Sequence, residues 1–301
     1  MYQQHFSLQQ LPFGLTPDTA FYVPLQQHQD MLALLNTALN SGEGFIKICG
    51  EVGSGKTLLC RTLLQQEQPD WQLAYIPDPL LTPIELRWAL ALEFGLKFSA
   101  NIEPPQLLQL LQRQLLLLAA QGKRPIVLID EAQALPDDTL EALRLLTNLE
   151  TRQRKLLQVV LFAQPELDAR LASYRFRQLR QRISFSASLA LMRPLQLTAY
   201  VNQRLAQAGA TQPLFSTLAL RLLCRYSRGI PRLVNILAHK ALLLAYGEGQ
   251  PRVNWRHVRL AAQDTEAVQP KPRPLWWYAL VGGTVSITSA ALAAWPLWSG
   301  A

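Results

Sequence analysis

Gly50 to Thr57 reads GEVGSGKT. The stretch fits G-x-x-x-x-G-K-S/T, in which glycines let backbone N–H groups wrap phosphate oxygens and the helix that follows points its positive N-terminal dipole at them. The flanks agree. Phe45 to Cys49 (FIKIC) is a short apolar run, and from Leu58 onward the apolar spacing is helical, so the order is strand, loop, helix. In that setting Lys56 is expected to reach the β- and γ-phosphates of ATP, and Thr57 to place its hydroxyl on Mg2+. Gly50, Glu51, Val52, Gly53, Ser54, Gly55 and Leu58 complete the expected nucleotide-binding set.

A second constellation is Pro125 to Gln133, PIVLIDEAQ, whose Asp130 lies 74 residues after Lys56. An acidic pair at the end of a buried apolar strand puts Asp130 at the carboxyl edge of a sheet, where it can hold magnesium through water. Glu131 stands beside it to polarise an attacking water. Joined to the glycine loop, the pair points to hydrolysis as well as binding. Gln164 follows another apolar run, Leu156 to Ala163 (LLQVVLFA). Its amide can sense the γ-phosphate or orient water, or it can cap the turn before Pro165.

Arg170, Arg175, Arg177, Arg180 and Arg182 crowd thirteen residues. Phosphoryl transfer often draws an arginine from a neighbouring subunit to neutralise transition-state charge. Arg182, just before the apolar ISF, is the first candidate for that finger and Arg180 the second, the others reading as solvated surface. Arg232 lies in the first turn of a helix opened by Gly229, Ile230 and Pro231, where the dipole disfavours a cation. An anionic partner such as the γ-phosphate would account for it, and so would a local carboxylate.

The remaining pattern sets the fold class. Trp71 to Ile76, Ile126 to Ile129 and Leu156 to Ala163 read as further strands. Between them lie helices from Pro83 to about Phe94, from Pro104 to Gln121 and from Asp137 to Thr151. Leucines of the Pro104 helix fill nearly all its sides, which predicts burial against a sheet and not a zipper. The alternation implies a three-layer α/β domain with a parallel sheet over about 45–194. Thr198 to Ala208, Ser216 to Tyr226, Ile230 to Tyr246 and Asn254 to Gln263 predict an all-helical lid over 195–263, and residues 1–44 an N-terminal segment leading into the core.

Residues 264–274 (DTEAVQPKPRP) read as a linker. From Leu275 to Trp298 the chain then carries 24 residues without a charge, opened by Trp276, Trp277 and Tyr278 and closed by Trp295 and Trp298. This is the length and the aromatic edging of a transmembrane helix; Gly282, Gly283 and Pro296 favour a hydrophobic hairpin instead. Lys271 and Arg273 on the near side keep the N-terminal bulk of a single-pass protein in the cytoplasm. MYQQHFSLQQ has no signal-peptide pattern. The three cysteines, Cys49, Cys60 and Cys224, lack metal-ligand spacing and read as reduced packing residues.

Net charge divides unevenly. Residues 1–168 hold 12 Lys and Arg against 18 Asp and Glu, and residues 169–301 hold 17 against 3. The basic half can meet anionic lipid, nucleic acid, or phosphates held by the first half.

The loop at Gly50 to Thr57, DEAQ at Asp130 to Gln133, LRLLTNLETRQRKLLQVVLFAQPEL from Leu143, LRQRI from Leu179 and GIPRLVN from Gly229 together resemble AAA+ ATPases of the secretion-pathway ExeA type. The start, HFSLQQLPFGLTPDTAFY, is similar too, so the resemblance covers about residues 5–263. It implies a P-loop NTPase (AAA+) fold, with Gln164 as sensor 1, Arg182 as arginine finger and Arg232 as sensor 2. It also implies a homo-oligomer that assembles or positions a type II secretion complex or a type IV pilus with inner-membrane partners. The short anchored form is most similar to ATPases of mannose-sensitive haemagglutinin (MSHA) pilus biogenesis. Longer members continue into a peptidoglycan-binding domain, whereas this sequence stops three residues past Trp298. Ala163 stands where the family usually has glycine. Nucleic-acid binding is the competing expectation, disfavoured because no winged-helix module follows the lid. A nucleotide-gated scaffold with little turnover is a third.

Overall fold

The computed structural model describes residues 2–14, 23, 25–66, 68–99, 101–150 and 155–268. The four strands expected from apolar runs are present as β1 (Phe45–Cys49), β2 (Trp71–Ile76), β3 (Arg124–Ile129) and β4 (Gln158–Ala163), joined by a fifth, β5 (Ile183–Ser188). All pair in parallel, in the order β2-β3-β4-β1-β5. β5 escaped the sequence reading because it is an edge strand, alternating half-buried and exposed residues instead of a continuous apolar run. Its pairing with β1 shifts register after Phe45, where Ser184 is passed over and bonds the Phe45 carbonyl through Oγ at 3.3 Å.

Period-2 alternation in the strands divides the core. Ile46, Ile48, Ile126, Leu128, Val160 and Phe162 face Met31, Leu35 and Leu39 of a helix at Gln26–Asn40, and Leu59, Cys60 and Leu63 of a helix at Lys56–Leu64. Phe45, Val127, Ile129, Val159, Leu161 and Ala163 face the opposite layer. That layer holds helices Pro83–Glu93, Pro104–Ala120, Asp137–Leu146, Glu166–Leu171 and Arg177–Arg182. With Tyr2–His5 first, these helices are α1 to α8 in chain order. The result is the three-layer parallel α/β architecture, in which each buried aliphatic side chain contributes about 1.5–3 kcal/mol.

Local signals act as expected at the start of α4. Thr82 accepts from the Glu85 N–H at 3.3 Å while the Glu85 carboxylate accepts from the Thr82 N–H at 2.7 Å, and Pro83 fills the first helical position. α5 packs on the sheet as expected, but through one stripe (Leu107, Leu111, Leu115 and Leu118) that leaves Leu116 and Leu117 about half exposed, although leucines fill nearly all its sides. One boundary needs correction: α6 ends at Leu146, short of Thr151.

The helical lid follows as α9 (Pro194–Gln207), α10 (Thr217–Ser227) and α11 (Pro231–Gly247), and then α12 (Trp255–Gln263). Residues 2–14 lie on this helical part, so the N-terminal segment divides: only α2, after it, covers the sheet. The Tyr2 hydroxyl meets His239 Nδ1 at 3.0 Å, the Gln9 N–H donates to the Ala208 carbonyl at 2.8 Å, and Arg204 Nε donates to the Pro12 carbonyl at 2.6 Å. Met1–Ala261 form one compact unit. Among the described residues no helix is long and apolar enough to cross a membrane. The expected span, Leu275 to Trp298, lies outside them.

Candidate nucleotide site

Strand order builds the site. β4 lies between β1 and β3, so the carboxyl ends of β1, β4 and β3 stand side by side, delivering the Gly50 loop, Gln164 and the Asp130–Glu131 pair to one sheet edge.

The loop is shaped as a cradle. Gly53 (φ +78°) and Gly55 (φ +104°) adopt left-handed backbone, and a Cβ at Gly50 would lie 2.7 Å from Ser54 Oγ. Lys56 is 4% exposed and donates through Nζ to the carbonyls of Gly50 at 2.8 Å and Glu51 at 3.2 Å. Burial lowers its pKa, against the opposing pull of the negative Glu131 and Asp130. Ser54 Oγ is buried and has no hydrogen-bond partner among the described residues. A deep ammonium, an orphan hydroxyl and a loop that a single Cβ would crowd fit a polyphosphate. Thr57 and Leu58, in the first turn of α3, are half-buried, while Glu51 and Val52 are exposed.

Asp130 is 3% exposed and accepts the Glu131 N–H at 2.9 Å. Glu131 has left-handed backbone (φ +49°), uncommon for a residue with a Cβ and concentrated at functional turns. The Gln164 side chain donates to Glu131 Oε2 at 2.7 Å, so its amide is directed at Glu131 instead of capping its own turn. Thr57 and Asp130 are the oxygen donors expected for a magnesium ion. Such an ion usually keeps most of its ligands from water and phosphate.

The lid reaches the same loop. The Arg232 N–H donates to the Gly53 carbonyl at 3.2 Å, and a Cβ at Gly53 would lie 2.5 Å from Arg232 Cβ. The Arg232 side chain is exposed and makes no ion pair among the described residues. The carboxylate partner allowed for it is therefore not found there. Arg182 is half-buried at the end of α8 and likewise unpaired, whereas Arg180 is exposed and donates weakly to the Ala172 carbonyl at 3.4 Å. Not all five border arginines are solvated surface. Arg170 donates to the Gln133 carbonyl at 2.6 Å and the Leu135 carbonyl at 2.9 Å and pairs with Asp137 at 2.5 Å, and Arg175 pairs with Asp137 and Asp138.

Two site neighbours went unmarked by sequence reasoning. Gln133 donates to Glu131 Oε2 at 2.5 Å, its only signal being its place in DEAQ. His28, 3% exposed, lies against Gly55 with Nε2 3.1 Å from the Ser54 carbonyl, and nothing in the polar LQQHQD run distinguished it.

Comparison with known proteins agrees with this geometry. Residues 38–171 match the family model described as AAA domain. The matched stretch is AAA-like, and with the parallel-sheet fold it supports an ATPase. Over 298 residues, 99% of its length, it is 40% identical to General secretion pathway protein A of Aeromonas hydrophila, and it spans 54% of that protein. The AAA domain is thus ExeA-like. Its fold is also that of the Aeropyrum pernix ORC2 protein in its ADPNP-ADP complexes (TM-score 0.60, 19% identity, 87% of this chain and 73% of that one). Cdc6p from Pyrobaculum aerophilum is similar to the same degree (TM-score 0.59, 19% identity, 87% and 70%). At such identities the likeness concerns fold alone.

Proposed function

We propose that this chain hydrolyses ATP at the edge formed by β1, β4 and β3, and uses the cycle to assemble or position a type II secretion complex or an MSHA-like type IV pilus at the inner membrane. The observation that carries the hydrolytic part is the meeting of Lys56, Asp130, Glu131 and Gln164 at one edge, with the lid residue Arg232 on the same loop. Lys56 leaves the loop carbonyls for the β- and γ-phosphates. Magnesium, when bound, neutralises phosphate charge, and Thr57 and Asp130 would hold it. Glu131 orients and polarises water, and Gln164 stands between that carboxylate and the γ-phosphate as sensor 1. Arg232 contributes positive charge from the lid as sensor 2, and Arg182 serves a neighbouring copy as arginine finger, with Arg180 next.

The secretion reading draws support from the likeness to General secretion pathway protein A, and the pilus reading from the apolar stretch Leu275 to Trp298. Residues 45–194 are the ATPase core, 195–263 the lid, 264–274 the linker and 275–298 a single-pass anchor holding the ATPase in the cytoplasm. Nucleic-acid binding remains a second reading because residues 169–301 are so basic. Retention on DNA with a steep salt dependence would favour it.

The test is Glu131→Gln. Turnover should fall by about a hundredfold or more while ATP binding persists, since the amide keeps the shape and cannot accept a proton. Unchanged turnover would remove Glu131 from the chemistry, and a wild-type protein without turnover would make the domain a nucleotide-gated scaffold. Copurification of secretion or pilus inner-membrane proteins with the Glu131→Gln form tests the cellular role.

A further inference from the structure

Gln133 uses three of its polar groups on the site. Nε2 donates to Glu131 Oε2 at 2.5 Å, Oε1 accepts the Gln164 N–H at 3.0 Å, and the main-chain carbonyl accepts from Arg170 Nη1 at 2.6 Å. Gln164 Nε2 donates to the same Glu131 oxygen at 2.7 Å. We infer that Gln133 is a positioning residue for the hydrolytic step, holding the Glu131 carboxylate in one orientation relative to Gln164. The inference rests on Glu131 as the residue that activates water.

The geometry demands this kind of side chain. One group must donate to a carboxylate and accept from an amide N–H, and a carboxamide does both. The two partners also settle which end of the amide is nitrogen, because the reversed placement would set oxygen against carboxylate and NH2 against N–H. Glu131 needs outside support. It lies in left-handed backbone before a single 3-10 turn, Ala132–Ala134, so no helix directs its side chain. With Oε2 engaged twice, the carboxylate plane is set and Oε1, which accepts nothing from the described residues, is the oxygen presented to water.

Gln133 is itself held from behind. Arg170 on α7 grips the carbonyls of Gln133 and Leu135 and pairs with Asp137, the first residue of α6. The support thus runs from two helices through Arg170 and Gln133 to Glu131.

The test compares Gln133→Ala, Gln133→Met and Gln133→Glu in the full chain. Positioning predicts kcat lowered about tenfold in the Ala and Met forms, with KM and nucleotide-induced thermal stabilisation within about twofold of wild type. Gln133→Glu preserves size but turns an acceptor and a like charge toward Glu131, so its kcat should fall at least as far as that of Ala. A packing role predicts the opposite order, with Glu mildest. Adding Gln133→Ala to Glu131→Gln should lower kcat no further. Near-normal kcat in Gln133→Glu and Gln133→Met, alongside lost turnover in Glu131→Gln, would overturn the inference. Retained turnover in Glu131→Gln would instead overturn the role of Glu131 on which it rests.

Discussion

His28 shows what a single side chain contributes beneath the phosphate loop. Its imidazole lies where a Cβ on Gly55 would come within 2.7 Å of Cε1, Nε2 bonds the Ser54 carbonyl, and Nδ1 is buried without a partner among the described residues. Burial pushes its pKa down, with the Ser54 bond pulling weakly the other way. A depressed histidine binds fewer protons folded than unfolded. Its stabilising effect is therefore complete above the unfolded value of 6.5 and is lost as pH falls from there toward the folded value. We expect Tm to decline below about pH 6.5, and the decline to be shallower in His28→Gln. Because burial lowers the His239 pKa as well, the informative quantity is the difference between wild type and variant across that window. Identical slopes would mean that His28 binds as many protons folded as unfolded, so that burial does not depress it.

At the level of elements, the turn between α10 and α11 governs how the lid addresses the loop. Arg228 (φ +53°) closes α10 in left-handed backbone and Gly229 (φ +78°) continues it, placing Ile230 and Pro231 to open α11 with Arg232 in its first turn. A Cβ at Gly229 would lie 2.3 Å from the Met192 carbonyl oxygen, and the Met192 N–H already donates to the Gly229 carbonyl at 3.0 Å. Gly229→Ala therefore combines left-handed strain with a backbone clash. We expect a loss of about 2 kcal/mol or more in urea unfolding, together with weaker ATP binding as Arg232 loses its seat on Gly53. Most elements were legible because their signals are local: Thr82 and Pro83 start α4, and LLQVVLFA announces β4. α5 was half legible, since a leucine count registers hydrophobicity but not which leucines face the sheet. β5 and α8 were illegible because ISFSAS is an edge strand of mixed polarity and RQLRQR has one buried residue, Leu179.

For the whole molecule, the lid and the sheet edge close on one loop, and neither Arg232 over Gly53 nor Arg182 at the end of α8 makes an ion pair among the described residues. If Arg182 acts on a neighbouring copy, loss of activity in Arg182→Ala should be reversed by mixing with Lys56→Gln subunits, which cannot hold phosphate but carry intact fingers. Titrating one variant into the other while recording ATP turnover checks this, and a mixture no more active than its parts would place Arg182 in its own site or outside the chemistry. The sequence by itself determined the chemical groups, because GEVGSGKT and IDEA each need only their own strand and turn to take shape. It also determined that they follow parallel strands, since buried apolar runs alternate with helices. Only the tertiary structure decided that β4 enters between β1 and β3, which brings Gln164 to Glu131. It alone made Gln133 and Arg170 supports of that carboxylate and His28 a floor to the loop. Those contacts join residues tens of positions apart, and they depend on strand order and packing, which local pattern does not encode.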